Sequence, residues 1–270
     1  MKLLISDIDG SLLPFGKSEL SPPIVSFFRS LPDQHVHATL ATGKPFLRTR
    51  PLAQTLGITT PLICANGALI VHPVSGKIIL CEPIEEHTAQ AVIQLLAHDV
   101  RCQLYPEVED RLFYVRNTAI PTEAWRHRRP GWTEPLVYDP EQDMKETLGG
   151  SPHKIAVSTS PADRETIETL LKSHFGEKVS IFHPKPDIID VTPKTASKGT
   201  AAARIALRLG IQREDVIVVG DEMNDISLFE AAGIKLARDH APDALLAKAD
   251  IIVGPGDDAL ILALKQALNI

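Results

Sequence analysis

A short apolar segment at the start of the chain ends in two acidic residues. Residues 2–6 (Lys-Leu-Leu-Ile-Ser) have no polar face, which is typical of a strand buried on both sides of a sheet. Asp7 and Asp9 follow at its carboxyl end, and Gly10 permits a sharp turn after them. Open parallel α/β sheets bind ligands outside the carboxyl ends of their strands. The two carboxylates could therefore hold a hard cation, and one could attack phosphorus; the alternative is a polar turn with two solvated acids.

Composition excludes several other classes of protein. The chain has 270 residues, of which 44% are hydrophobic and 23% charged, as in ordinary globular proteins. Its net charge of -6 provides no basic surface for nucleic acid or an anionic membrane. The three cysteines form no CxxC motif and indicate structural thiols in a reducing cytosol. Because Asp7 and Asp9 interrupt the first apolar stretch and no other stretch is long enough to span a membrane, we expect a cytoplasmic protein.

Strands that alternate with helices predict an α/β fold with a parallel sheet and right-handed crossovers. The predicted strands of this pattern are residues 2–6, 37–41, 61–64, 215–219, 234–237 and 250–253. Between about Pro83 and Val191 the pattern changes, and we interpret residues 83–191 as an inserted α/β module. Within the module, residues 117–152 show no clear period.

Four polar clusters lie at the carboxyl ends of predicted core strands or just beside them. They are Asp7 with Asp9, Thr42 with Gly43, Lys198, and Asp221 with Asn224 and Asp225. Four such clusters at one edge of a sheet indicate a single site.

Lys198 and the last cluster each have an alternative explanation. Lys198 precedes a helix predicted over 201–209, where its positive charge interacts unfavourably with the helix dipole. The same charge could help the free N–H groups of the first turn to bind an anion. The alternative is a solvated surface lysine. Asn224 and Asp225 lie where a helix begins, so one of them could act only as a cap. Capping does not account for both of these residues together with Asp221.

The four clusters occur in the order of the four motifs of the haloacid dehalogenase-like (HAD) phosphatases, which the chain resembles. The matching segments are Asp7-Ile8-Asp9-Gly10-Ser11, Thr42-Gly43-Lys44, Lys198, and Gly220-Asp221 with Asn224-Asp225. The segment Ala65-Asn66-Gly67-Ala68 and the large insertion resemble the Cof-type sugar-phosphate phosphatase branch. Departures from the pattern are Ser11 in place of threonine, Lys44 in place of arginine, and the lack of an asparagine-alanine pair in residues 236–241.

This resemblance implies a fold, a reaction and a set of roles. Residues 1–82 and 192–270 would form a Rossmann-like catalytic core, and residues 83–191 an α/β cap domain. Asp7 would be the nucleophile that forms an aspartyl-phosphate, and Asp9 the general acid and base. Phosphoryl oxygens would be held by Thr42, Gly43, Lys198 and Asn224. Mg²⁺, with Mn²⁺ as a substitute, would be held by Asp7, the backbone carbonyl of Asp9, Asp221 and Asp225.

Three functions remain open at this point. The first is a Mg²⁺-dependent phosphatase, working as a monomer or homodimer on a small phosphorylated metabolite such as a sugar phosphate. The second is a phosphomutase with the same aspartyl-phosphate, and the third a receiver or phosphometabolite-binding protein without catalysis. Within the insertion, an anionic or sugar-binding surface could be lined by basic and aromatic residues, although a solvated basic loop explains them as well: Trp125, Arg126, Arg128, Arg129 and Trp132.

Overall fold

The computed structural model describes residues 1–17, 19–117 and 136–270, and these fold into two compact units. The first unit comprises Met1–Leu80 and Ser197–Ile270, and the second comprises Cys81–Ala196. The inserted module predicted from the sequence, residues 83–191, begins and ends a few residues inside the second unit. Its exact limits stay a prediction. The basic and aromatic residues between Trp125 and Trp132 lie outside the described residues.

A five-stranded parallel sheet forms the centre of the first unit, which confirms the predicted α/β fold class. Its order across the sheet is β14 (Ile251–Val253), β13 (Ile234–Arg238), β12 (Val216–Gly220), β1 (Lys2–Ser6) and β2 (Val36–Leu40). The central strand β1 is in register with both neighbours, since Ile5 lies opposite Val218 on β12 and Thr39 on β2. Because β1 is covered on both faces, Leu3, Leu4 and Ile5 are fully buried, as their apolar sequence predicts.

Helices and a small sheet complete the first unit. The small sheet contains β3 (Leu62–Cys64), β4 (Leu69–Val71) and β5 (Ile78–Cys81), and a parallel bridge from Ala41 to Ile63 joins β3 to the end of β2. The helices are α1 (Pro22–Ser30), α2 (Phe46–Leu56), α6 (Lys198–Leu209), α7 (Ile226–Glu230), α8 (Asp243–Leu246) and α9 (Asp257–Leu268).

Helix α6 begins three residues earlier than the sequence analysis predicts. The side chain of Ser197 accepts a hydrogen bond from the Thr200 N–H, and the Thr200 hydroxyl accepts one from the Ser197 N–H, which forms a capping box. Lys198 is therefore the first residue of the helix and does not precede it. The capped first turn of the helix therefore holds the Lys198 side chain, which is 2% exposed.

The second unit is built on a mixed sheet. The order is β10 (Val179–Lys185), β11 (Ile188–Pro193), β9 (Lys154–Thr159), β6 (Cys102–Val108), β7 (Arg111–Val115) and β8 (Leu136–Tyr138). Only β7 and β8 pair in parallel among these described strands. Alternate residues of the strands, such as Leu104 and Val157, share one apolar cluster with Val92 and Leu171 of the helices.

Three described helices belong to the second unit: α3 (Glu86–Leu96), α4 (Met144–Leu148) and α5 (Arg164–Phe175). Strand β8 and helix α4 lie in the stretch where the sequence shows no period. They have three and five residues, respectively, which is too short for a repeat of apolar positions to be visible. Among the described residues, none of the helices combines the length and apolar composition that crossing a membrane requires.

Candidate active site

Acidic side chains converge at the carboxyl ends of β1 and β12. Asp7 directly follows β1, Asp221 directly follows β12, and Asp225 closes the 3₁₀ turn Met223–Asp225. One carboxylate oxygen from each of the three lies within 4.8 Å of the other two, and all three residues are buried. The central strands therefore bring together residues that are more than 200 positions apart in the chain.

The ammonium group of Lys198 lies between two of these carboxylates. Its Nζ is 2.7 Å from Asp7 Oδ1 and 2.7 Å from Asp225 Oδ1. The second oxygen of Asp225 accepts hydrogen bonds from the N–H groups of Asp221 (3.0 Å) and Glu222 (3.1 Å). Asp225 thereby fixes both the lysine and the loop that carries Asp221.

Asp221 has one oxygen held by the protein and one that is not. Ser11 Oγ donates a hydrogen bond of 2.7 Å to Oδ1. Oδ2 is buried and accepts no hydrogen bond from the described residues, although His240 Nε2 lies 3.6 Å away. Gly10 permits this close packing, because its φ is +82° and a Cβ there would lie 2.0 Å from Asp221 Oδ2. A buried carboxylate oxygen without a hydrogen-bond donor is costly unless a cation approaches it.

Electrostatics also favour a divalent cation at this cluster. Burial raises the pKa of Asp7 to about 6, with Lys198 opposing the change and Asp225 adding to it. Burial, together with the neighbouring Asp7 carboxylate, raises the pKa of Asp221 to about 8. Burial works against a charged Lys198, but the carboxylates of Asp225 and Asp7 outweigh it and raise the pKa of the lysine. When the three carboxyl groups and the ammonium group are all ionised, the cluster has two net negative charges, and oxygen donors suit Mg²⁺ or Mn²⁺.

Metal-free protein is expected to lose stability as the pH rises from about 4 to about 8. The folded state binds more protons than the unfolded state across this range, since the pKa values of Asp7 and Asp221 rise from 3.8 to about 6 and about 8. Each pKa unit corresponds to about 1.4 kcal/mol in the free energy of unfolding. Urea unfolding at pH 5 and pH 8, in EDTA and in Mg²⁺, measures the effect, and Mg²⁺ should restore stability at pH 8.

Asp221→Asn is the matched control for this prediction. It removes one titrating carboxylate and one candidate metal ligand with little change in shape. We expect the free energy of unfolding of the variant to depend less on pH in EDTA than that of the wild type, and to increase little when Mg²⁺ is added. Equal stability of the wild-type protein at both pH values in EDTA would contradict the electrostatic description of the cluster.

The residues expected to hold a phosphoryl group lie at the same edge of the sheet. Thr42 follows the bridge between Ala41 and Ile63 and is 2% exposed. Its N–H donates to the Ile63 carbonyl (2.9 Å), and its hydroxyl accepts from the Lys44 N–H (3.1 Å). Asn224 lies in the turn before Asp225, so the structure brings Thr42, Gly43 and Asn224 to the same edge as Lys198.

Asp9 lies apart from the buried carboxylates. Its side chain is 51% exposed, and its carboxylate forms an ion pair with the ammonium group of Lys44. A half-exposed carboxyl group can exchange protons with water and with a bound substrate, as a general acid and base must. Lys44 therefore has an observed partner in Asp9. From the sequence, Lys44 is notable only as a lysine in place of arginine.

Three further residues at this edge have no role in the sequence analysis beyond the resemblance. Ser11 donates a hydrogen bond to Asp221, and the sequence feature that could have identified it is its position in the first motif. Asn66 accepts a hydrogen bond from Asn224, and the sequence feature that could have identified it is an Asn-Gly pair just after β3. His240 follows β13, whose carboxyl end lies at the same sheet edge as those of β1 and β12. A search of every strand end, including the end of β13, could have found it.

The chain is similar to known proteins along most of its length. The family model of haloacid dehalogenase-like hydrolases matches residues 4–262 of the chain. The Escherichia coli protein named pyridoxal phosphate phosphatase YbhA is 27% identical over an alignment of 265 residues. The alignment covers 94% of this chain and 93% of the relative.

Solved structures of similar fold extend the comparison. The Thermotoga maritima protein TM0651 superposes with a TM-score of 0.80 at 23% identity, covering 98% of this chain and 97% of that one. The HAD subclass IIB sugar phosphatase BT4131 superposes with a TM-score of 0.78 at 20% identity, covering 98% of both chains.

Proposed function

Because the chain belongs to the haloacid dehalogenase-like hydrolase family, we propose that it is a Mg²⁺-dependent phosphatase with an aspartyl-phosphate intermediate. Its substrate is a small phosphorylated metabolite, and a sugar phosphate is the first candidate. The observation that carries the proposal is the Asp7 carboxylate, buried beside Asp221 and Asp225 and held 2.7 Å from the Lys198 ammonium. Such a carboxylate is oriented, desolvated and close to positive charge, which a nucleophile toward phosphorus requires.

The first half of the reaction transfers the phosphoryl group to the protein. A carboxylate oxygen of Asp7 attacks phosphorus, a new O–P bond forms, and the bond from phosphorus to the ester oxygen breaks. Asp9, protonated at this stage, gives its proton to the leaving ester oxygen, so that the product departs as an alcohol. Lys198 both orients Asp7 and offers positive charge to the phosphoryl oxygens.

The second half returns the protein to its starting state. Asp9, now a carboxylate, accepts a proton from a water molecule that attacks phosphorus. The O–P bond to Asp7 breaks, inorganic phosphate leaves, and Asp9 is again protonated. The exposed position of the Asp9 side chain supports this role, since both the leaving group and the water must reach it. Thr42, Gly43 and Asn224 supply donors for the phosphoryl oxygens in both steps.

The carboxylate cluster fits a resident magnesium ion. Asp7, Asp221, Asp225 and the backbone carbonyl of Asp9 would hold Mg²⁺, which would offset the negative charge of the nucleophile and the phosphate. Two observations support this assignment: Asp221 Oδ2 accepts no hydrogen bond from the described residues, and the fully ionised cluster has a net negative charge.

Phosphate release from a panel of compounds tests the proposal. The panel contains sugar phosphates, pyridoxal phosphate (because of the similarity to YbhA) and p-nitrophenyl phosphate, each with Mg²⁺ and with EDTA. We expect release that requires Mg²⁺ and that differs in kcat/KM among the substrates. Interconversion of sugar phosphates without phosphate release would replace the phosphatase with a mutase. A folded protein that binds Mg²⁺ and releases no phosphate from any compound would overturn the proposal.

A further inference from the structure

The turn after β3 contains an asparagine in an unusual backbone conformation. Asn66 has φ 55° and ψ 30°, in the left-handed region, and Ala65 before it has φ 49°. Residues with a Cβ are disfavoured there, although asparagine tolerates the region better than alanine. Asn66 is also 1% exposed. A buried polar residue in a disfavoured conformation needs compensating contacts, and these contacts point to its role.

Asn66 contacts all three neutral residues that we propose as phosphoryl ligands. Its Oδ1 accepts a hydrogen bond of 3.0 Å from Asn224 Nδ2. Its N–H donates to the Thr42 carbonyl at 3.0 Å. Its side-chain amide packs against Gly43, where a Cβ would lie 3.2 Å from both Nδ2 and Oδ1 of Asn66.

The turn around Asn66 is fixed on both sides. The Ala65 N–H donates to the Lys44 carbonyl at 3.1 Å, which ties the turn to the segment after Thr42. Gly67 has φ +99° and packs so tightly on the start of α6 that a Cβ would lie 2.0 Å from the Ser197 carbonyl oxygen. Asn66 is therefore anchored between the Thr42–Gly43 segment and the helix that begins with Lys198.

We propose that Asn66 is a positioning residue that sets the orientation of the Asn224 amide and the Thr42–Gly43 backbone toward a phosphoryl group. This inference rests on the proposed function of the site. A side-chain amide can present either an N–H donor or a carbonyl oxygen, and only the donor attracts a phosphoryl oxygen. Asn66 Oδ1 accepts one Asn224 N–H, selects one of the two amide orientations, and leaves the second N–H for the ligand. Asn224 Oδ1 is buried and has no hydrogen-bond partner among the described residues, so no other described contact selects this orientation.

Asn66→Gly separates the side chain from the backbone conformation. Glycine adopts the left-handed region readily, so the turn is kept while the amide is lost. Asn269→Gly is the matched control, because Asn269 also has φ 55° but is exposed at the end of α9. Both variants should fold and bind Mn²⁺ as the wild type does, measured by thermal unfolding and electron paramagnetic resonance.

Two measurements test the inference. The side-chain amide resonances of Asn224, assigned with Asn224→Ala, should shift in Asn66→Gly and stay unchanged in Asn269→Gly. The Kd for inorganic phosphate in Mg²⁺, measured by calorimetry, should rise about tenfold or more in Asn66→Gly, as expected for a loss of about one oriented hydrogen bond. The double variant Asn66→Gly/Asn224→Ala should bind phosphate about as weakly as Asn224→Ala alone, because glycine keeps the backbone hydrogen bond to Thr42 and removes only the side chain, which acts through Asn224.

The outcomes separate this inference from the function on which it rests. Unchanged Asn224 resonances, or a phosphate Kd in Asn66→Gly within about twofold of the Asn269→Gly value, overturn the role of Asn66 and leave the phosphatase intact. Additive losses in the double variant overturn the action through Asn224. A wild-type protein that binds no phosphate and releases none overturns the proposed function, and the inference with it.

Discussion

Replacing Asp7 with asparagine is expected to abolish phosphate release while leaving the protein folded. Asparagine keeps the shape of the side chain but offers no anionic oxygen to attack phosphorus. We expect kcat/KM to fall by on the order of 10⁴-fold or more, as for other enzymes that lose a covalent nucleophile. Phosphate release from the best substrate of the panel, in Mg²⁺, measures the loss.

Stability and a surface control distinguish this loss from misfolding. Asp7→Asn removes one of three buried carboxylates that repel one another, so its melting temperature without metal should equal or exceed that of the wild type. Asp33→Asn makes the same change at an exposed position of the same unit and should leave kcat/KM unchanged. Activity of Asp7→Asn close to that of the wild type would place the nucleophile elsewhere.

Lys198→Met is expected to damage both catalysis and stability. The variant keeps most of the buried volume but removes the cation that lies 2.7 Å from both Asp7 and Asp225. Breaking a buried ion pair by removing one partner costs about 3–5 kcal/mol, because the remaining charges are uncompensated. Thermal unfolding in EDTA at pH 8 should therefore show a melting temperature lower by roughly 10 °C. The kcat/KM should fall by roughly 10³-fold, since the phosphoryl group loses a preset positive charge.

The dependence on metal and pH identifies the cause of this destabilisation. Mg²⁺ should recover part of the lost stability, and so should a lower pH, at which the carboxylates are protonated. Lys265→Met changes an exposed lysine on α9 and should shift the melting temperature by little. If Lys198→Met and Lys265→Met were equally stable in EDTA at pH 8, Lys198 would not be the counter-charge of the buried carboxylates.

The sheet and the convergence of the acids could be predicted because they follow from local rules. The apolar runs before Asp7 and Asp221 predict buried strands, and parallel strands bring their carboxyl ends to one edge. The start of α6 is less accessible to this reasoning. The alanine-rich apolar face indicates a helix from Ala201, whereas the capping box of Ser197 and Thr200 starts it at Lys198. A search for caps before apolar faces would have found the true start.

Contacts between distant residues could not be predicted in this way. The hydrogen bond from Asn224 to Asn66 joins residues 158 positions apart, and the ion pair of Lys44 with Asp9 joins two separate loops. Periodicity reports which face of a strand or helix is buried, but it carries no information on which loop side chains meet. The same limit applies to β8 and α4, whose few residues take their conformation from the sheet and packing around them.

Trapping a phosphorylated Asp7 tests covalent catalysis most directly. Asp9→Asn slows both halves of the reaction, but the p-nitrophenolate leaving group needs little help from a general acid. The intermediate should therefore accumulate in this variant when p-nitrophenyl phosphate and Mg²⁺ are mixed and quenched in acid. Mass spectrometry of the peptide that contains residues 2–13 locates the phosphoryl group. We predict phosphorylation at Asp7 in Asp9→Asn and none in the Asp7→Asn/Asp9→Asn double variant. If the wild type releases phosphate but neither the wild type nor Asp9→Asn carries a phosphoryl group on Asp7, the aspartyl-phosphate mechanism is contradicted.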